Sequence, residues 1–182
     1  MQEEKIGYYK KKDLKLREGM NNINVLKDAK LHFDYRSKVE NDNELVQVIT
    51  GAVLVVNDEK IFVISKSEKS TGKDSPERDK DLIYVGGHLS EVDSDINEEV
   101  DKFAKLKIAK IDDVRKVFFR GMCRELKEED ELNFDLTKCP LVKSIRPLGV
   151  AYTPSLSEKS SKHMLVAFRV NFSEEPDISF EG

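Results

Sequence analysis

The 182-residue sequence contains no tryptophan and only two cysteines, five prolines and nine glycines. Cys123 and Cys139 are too few for a disulfide framework and lack the second pair a zinc site requires, so both read as reduced thiols. No apolar run approaches the roughly 20 residues needed to cross a bilayer, and the stretch Ala52 to Val56 has only the length of a strand. The first residues lack an apolar segment followed by a small-residue cleavage site, so the expectation is a cytoplasmic chain with no membrane role. Excess basic charge is missing too, because 31 Lys and Arg stand against 35 Asp and Glu. The resulting net charge of -4 provides no field for gathering polyanions. An extended nucleic-acid surface is thereby excluded, and any phosphate chemistry must be local.

What is present suits one domain with a core of Phe, Leu, Ile and Val beneath a densely charged surface. Residues 1–43 are polar with short apolar clusters and read as an N-terminal extension packed on a domain spanning 44–182. Leu45 to Val56 is dense in β-branched residues and predicts a strand, followed by a turn at Asn57-Asp58 and a second strand from Lys60 to Ser65. Lys66 to Asp81 has no apolar residue and reads as a solvated excursion. A short strand, Leu82 to Val85, then delivers Gly86-Gly87-His88, where two glycines allow close backbone approach. The pattern turns helical from Ile96 to about Leu132, as an inserted segment at about 94–112 and a second helix capped by Asp112 or Asp113. Val114, Val117, Phe118, Met122 and Leu126 recur at three- and four-residue steps and predict the apolar stripe of that second helix. Strands at Val142 to Thr153 and His163 to Phe172 complete an α+β class with a mixed sheet.

Five carboxylates gather in Arg124-Glu125-Leu126-Lys127-Glu128-Glu129-Asp130-Glu131. On a helix, Glu125, Glu128 and Glu129 fall within about 100° of one another. The helix dipole opposes acids at a C-terminus by about 0.3–1 kcal/mol each. Mutual repulsion adds about 4 kcal/mol for a pair 4 Å apart at an effective dielectric near 20. A hard divalent cation offsets such a cost, since Mg²⁺ or Mn²⁺ takes carboxylate oxygens and keeps waters that phosphate oxygens can replace. Gly121, one turn before Glu125, implies a closely approaching neighbour, for which the Gly86-Gly87 loop is the candidate. Arg124 can pair with Glu128 or cross to that loop and orient the carboxylates. Taken alone, the acidic run reads chiefly as a solvated helix face and is weak evidence for a site.

With the Gly-Gly loop before it, the run resembles the Nudix hydrolase signature, G-x5-E-x7-R-E-U-x-E-E-x-G-U with U aliphatic. Gly87 opens it, Asp93 stands at the first acidic position, Arg124-Glu125-Leu126-x-Glu128-Glu129 matches the core, and Leu132 closes it. Thirty residues, 94 to 123, replace the seven-residue spacer, and Glu131 stands where the family has glycine. The order of strands over roughly residues 45 to 175 follows the family as well. This resemblance implies a Nudix-like α/β/α sandwich with a mixed sheet and, after the last strand, a closing helix for which the residues before Gly182 show no counterpart.

The resemblance further implies Mg²⁺- or Mn²⁺-dependent hydrolysis of a pyrophosphate bond in a nucleoside diphosphate linked to another moiety. Its alternative is a catalytically inactive Nudix-like module that binds a nucleotide or a protein partner. Under the first reading Glu125, Glu128, Glu129 and the Gly87 carbonyl are the metal ligands, and Glu125, Glu129 and Arg124 form the catalytic group. His88 borders the loop and is a substrate-binding candidate, with an equal claim to ordinary packing. Glu174 and Glu175, after the last strand, are candidates to serve the substrate or to act as base, with Glu158 as another. His32 and His163 are expected to be structural, and Lys66, Lys69 and Lys73 to be solvated. Tyr8, Tyr9, Tyr35, Tyr84 and Tyr152 could stack on a base, although packing is expected for most of them. The implied partner is a small-molecule nucleotide, and self-association as a homodimer stays open.

Overall fold

The structure is a computed structural model that describes residues 3–65, 81–128 and 133–178. Its strands are β1 (Lys5–Lys10), β2 (Gly19–Asn21), β3 (His32–Tyr35), β4 (Leu45–Val56), β5 (Lys60–Ile61), β6 (Ile64–Ser65), β7 (Asp81–Leu82), β8 (Val85–His88), β9 (Val142–Tyr152) and β10 (His163–Phe172). The helices are α1 (Arg36–Glu40), α2 (Glu98–Lys107), α3 (Asp113–Glu128) and α4 (Glu158–Ser161). Eight strands form one mixed sheet in the order β2-β9-β10-β4-β1-β3, with β5 and β8 also paired to β4. β4 and β10 run parallel over ten registered pairs, from His163 opposite Gln47 to Phe172 opposite Val56, and the other pairings are antiparallel.

β4 explains much of the architecture. Its β-branched residues suit a strand buried on both faces. One edge is occupied by β10 along most of its length. The other edge is tiled by three short strands in succession, β1 against 45–47, β8 against 49–52 and β5 against 55–56. The turn from β4 to β5 has Asn57 and Asp58 at φ 50° and 61°, the two positive angles of a type I′ hairpin. The expected strand Lys60 to Ser65 is divided between β5 and β6, and Leu82 to Val85 between β7 and β8. Among the described residues β6 and β7 pair only with each other, at the base of the excursion whose residues 66–80 lie outside them.

The N-terminal segment packs on the rest of the chain through short elements. It inserts β1 between β4 and β3 and places β2 on β9, so residues 5–35 supply three strands of the main sheet. β1 also meets the chain just after β8, where Gly7 N–H donates to Leu89 O at 2.7 Å and Ile6 bridges Ser90.

One face of the sheet packs on α2 and α3. Val46, Val48, Ala52 and Leu54 of β4 join Met164, Val166, Phe168 and Val170 of β10 beneath Phe118, Phe119, Met122 and Leu126 of α3. Phe119 meets Phe168 edge-on at 5.7 Å and stacks on Phe103 of α2 at 6.4 Å. α3 begins where Asp112 accepts from the Arg115 amide at 2.8 Å, which settles the expected cap. The opposite face is only half-buried at Ile49, Val53 and Leu165. No helix among the described residues is long and apolar enough to cross a membrane.

Candidate functional site at the glycine corner

β8 brings Gly86, Gly87 and His88 opposite Gly51, Thr50 and Ile49, and α3 crosses the same point. Gly87 is where strand and helix touch. A Cβ built there would lie 2.0 Å from Glu125 Oε2, so the Glu125 carboxylate occupies the space a side chain would take. Gly86 has a different neighbour, since its Cβ would strike the Thr50 carbonyl oxygen at 2.0 Å. Gly121 accommodates side chains of Leu89, Asp93 and Thr50, at 2.8, 3.0 and 3.1 Å from its would-be Cβ, and not the Gly86-Gly87 backbone expected.

Arg124 ties the corner together. Its Nε donates to Asp93 Oδ1 at 2.9 Å, and its terminal nitrogens donate to Asp93 Oδ2 at 3.1 Å, the His88 carbonyl at 2.8 Å and Glu128 Oε2 at 2.8 Å. The nitrogen that holds Glu128 also lies 2.8 Å from Glu125 Oε1, so two carboxylates converge on one terminal nitrogen. Burial alone would disfavour the guanidinium charge, but the hydrogen bonds to Asp93 override it and raise the pKa above its ordinary value. Asp93 is buried in turn and fixed from a second direction. It ends a capping box with Ser90 at the 3-10 turn Glu91–Ser94, accepting from the Ser90 amide at 2.8 Å. The aspartate at the first acidic position is thus a brace holding Arg124 against the loop.

Glu125 is 15% exposed and Glu128 61%, so one carboxylate faces the corner and the other solvent. Glu129, Asp130, Glu131 and Leu132 lie outside the described residues. Among the described residues no three His, Cys, Asp or Glu side chains are arranged to hold a metal ion. Glu125 beside Gly87 and Glu128 across Arg124 offer oxygen donors of the hard type that Mg²⁺ or Mn²⁺ prefers, and a bound cation would share them with Arg124.

Other expected site residues fall elsewhere. Glu174 and Glu175 follow Phe172, which is in register with Val56, whereas Gly87 is in register with Thr50. Six strand positions at about 3.3 Å each put them roughly 20 Å from the corner, off the opposite end of the sheet. They are therefore not brought to the site. Glu158 begins α4, whose Lys159 and Ser160 do reach the corner's cavity, although the Glu158 side chain is exposed and lies 3.6 Å from Lys162. His32 stacks on Tyr8 at 5.4 Å, and Tyr9 is in the core.

Beside Gly87 a cavity of about 330 Å³ opens on the half-buried face of the sheet. Ile49 and Leu165 contribute apolar surface, while Tyr84, His88, His163 and Lys159 add an aromatic ring, two imidazoles and a cation. His88 and His163 meet edge to face at 5.5 Å. Burial lowers the pKa of both, that of His88 to about 3, with Arg36 and the other histidine adding to the effect on His88. His163, expected to be merely structural, is brought here by the parallel pairing of β10 with β4. That pairing carries no local sequence signal.

No family model matches the sequence, and no curated protein matches it. Among solved structures, the crystal structure of Tm1382, a candidate Nudix hydrolase, superposes with a TM-score of 0.61 at 20% sequence identity, covering 98% of this chain and 80% of that one. The chain has a Nudix-like α+β fold.

Proposed function

We propose that this protein is a Nudix-type hydrolase that cleaves a pyrophosphate bond in a nucleoside diphosphate linked to another moiety. The observation that carries this reading is the seating of the Glu125 carboxylate in the space left by the missing Gly87 side chain, with Arg124 pinned between Asp93 and the His88 carbonyl. A solvated acidic helix end needs neither the glycine nor the brace.

Glu125, Glu128, Glu129 and the Gly87 carbonyl would hold Mg²⁺ or Mn²⁺. The bound ion would neutralise diphosphate charge and lower the pKa of an attacking water. Arg124 would keep Glu125 and Glu128 oriented, and Asp93 would keep Arg124 oriented, so that carboxylate positions are set before substrate arrives.

The test is phosphate release from a panel of nucleoside diphosphate derivatives with Mg²⁺ or Mn²⁺, comparing wild type with Glu125→Gln and Glu129→Gln. Loss of about 10²-fold or more in kcat for Glu125→Gln is expected, the scale on which misplaced catalytic geometry acts. Equal rates in mutant and wild type, or no turnover of any panel member, would overturn the reading in favour of a non-catalytic binding module.

A further inference from the structure

The cavity beside Gly87 has a donor and acceptor pattern of its own. His163 Nδ1 lies 2.6 Å from the Lys159 carbonyl, which can only accept, so this nitrogen carries the proton and Nε2 is left as an acceptor. His88 Nε2 lies 3.0 Å from Gln47 Oε1 and donates to it, leaving Nδ1 as the acceptor. Gln47 is itself buried at 1% exposure, so this tautomer is set from within the sheet. Two imidazoles with assigned tautomers thus line one small space. Lys159 lines the same space as both rings. Tyr84 covers the strand at Gly51, where a Cβ would lie 3.0 Å from its Cδ2, and Ile49 and Leu165 line the same space.

We propose that this cavity seats a guanine-type base, with Lys159 facing the ring carbonyl and His88 and His163 accepting from its adjacent N–H groups. The volume of about 330 Å³ lies at the small end of ligand sites, about 300–1,000 Å³, and suits a planar ring better than an extended chain. Guanine offers a carbonyl acceptor, a ring N–H and an amino group in sequence along one edge. Adenine places an amino donor where guanine has its carbonyl, so it would set a donor against the Lys159 cation and a bare ring nitrogen against a histidine lone pair. The inference rests on the corner being a pyrophosphate site, because the cavity adjoins Gly87 and would hold the base of the same substrate.

Binding of guanosine, inosine and adenosine 5′-monophosphates is measured by calorimetry without divalent metal, on wild type, His163→Phe and His163→Asn. Wild type is expected to prefer the guanosine over the adenosine nucleotide by about tenfold or more, the scale of a site built to hydrogen-bond one edge. The inosine nucleotide, which lacks the amino group, should fall between them. His163→Phe should bring the guanosine and adenosine nucleotides to within about twofold by removing the acceptor, while His163→Asn, which retains a carbonyl acceptor, should restore part of the preference. Equal binding by wild type, no guanosine nucleotide binding, or a preference undiminished in His163→Phe would each overturn the inference. Should His163→Phe fail to fold, the wild-type ratio and Lys159→Met, expected to lose the same preference, carry the test. Failure of the hydrolysis assay with a guanine preference intact would sink only the hydrolase reading. Hydrolysis at equal rates on guanine and adenine substrates would sink only the inference.

Discussion

An alanine at position 87 would place its Cβ 2.0 Å from Glu125 Oε2 and 2.4 Å from the carboxyl carbon. The strand cannot retreat, because Gly87 is paired in the ladder opposite Thr50, so the carboxylate must leave the corner. Gly87→Ala is expected to lower kcat by about 10²-fold, as a 1 Å displacement of a positioned group does, with little change in melting temperature. Phosphate release and thermal melting check it together, and unchanged turnover would show that Glu125 works from elsewhere. The spacing of Arg124, Glu125 and Glu128 could be read from the sequence because one helix carries all three. The role of Asp93 could not, because thirty intervening residues conceal that its partner is Arg124, and nothing local marks it as a buried brace. Glu174 and Glu175 are placed far from the corner for a related reason: following the last strand says nothing about which end of the sheet that strand leaves from.

Among the helices, the inserted α2 is held to α3 by Arg120, whose Nε and terminal nitrogen donate to the two Asp101 carboxylate oxygens at 2.8 and 2.9 Å. Arg120 also reaches the Asp93 carbonyl at 3.3 Å, linking the insertion to the 3-10 turn that carries the brace. These hydrogen bonds hold the Asp101 pKa below its ordinary value of 3.8, and the side chains are 10% and 17% exposed. A depressed folded-state pKa contributes stability that is fully present above the unfolded value and is lost as pH falls through the folded one. Asp101→Asn should therefore cost about 1–2 kcal/mol near neutral pH, and the gap from wild type should close as pH drops below 3.8. Urea unfolding over a falling pH series measures this, and a gap independent of pH would refute the assignment. The helices were legible because the apolar stripe of Phe118, Met122 and Leu126 repeats locally. The division of the expected strands was not, since alternation along a strand does not encode which short neighbours tile its edge.

Across the whole molecule, the N-terminal strand decides whether residues 1–43 are an accessory or part of the fold. Their polar composition suggested an extension of short elements packed on the domain, because edge and junction strands need few apolar residues of their own. In the structure β1 covers the 45–47 edge of β4, supplies the Gly7 amide to Leu89 O, and buries Ile6 completely beside the turn that holds Asp93. Leu89 in turn donates to Val48 O at 2.9 Å, so the stretch between His88 and Asp93 is anchored to β1 on one side and β4 on the other. Trimming Ile6 to Ala removes packed methyl groups at a site held by the β3 ladder on one side and the bridge to Ser90 on the other, where collapse around the cavity is restricted. A loss of about 2–5 kcal/mol is expected, as for other large-to-small changes at full burial. Because the same strand steadies the corner, turnover by the folded fraction should fall as well, whereas a peripheral extension would yield on stability or on neither count. Chemical denaturation and single-turnover phosphate release on the same preparation separate these outcomes. An Ile6→Ala protein with wild-type stability would mean that β1 can be lost without disturbing the sheet, and the glycine corner would then have to owe its shape to β4 and α3 alone.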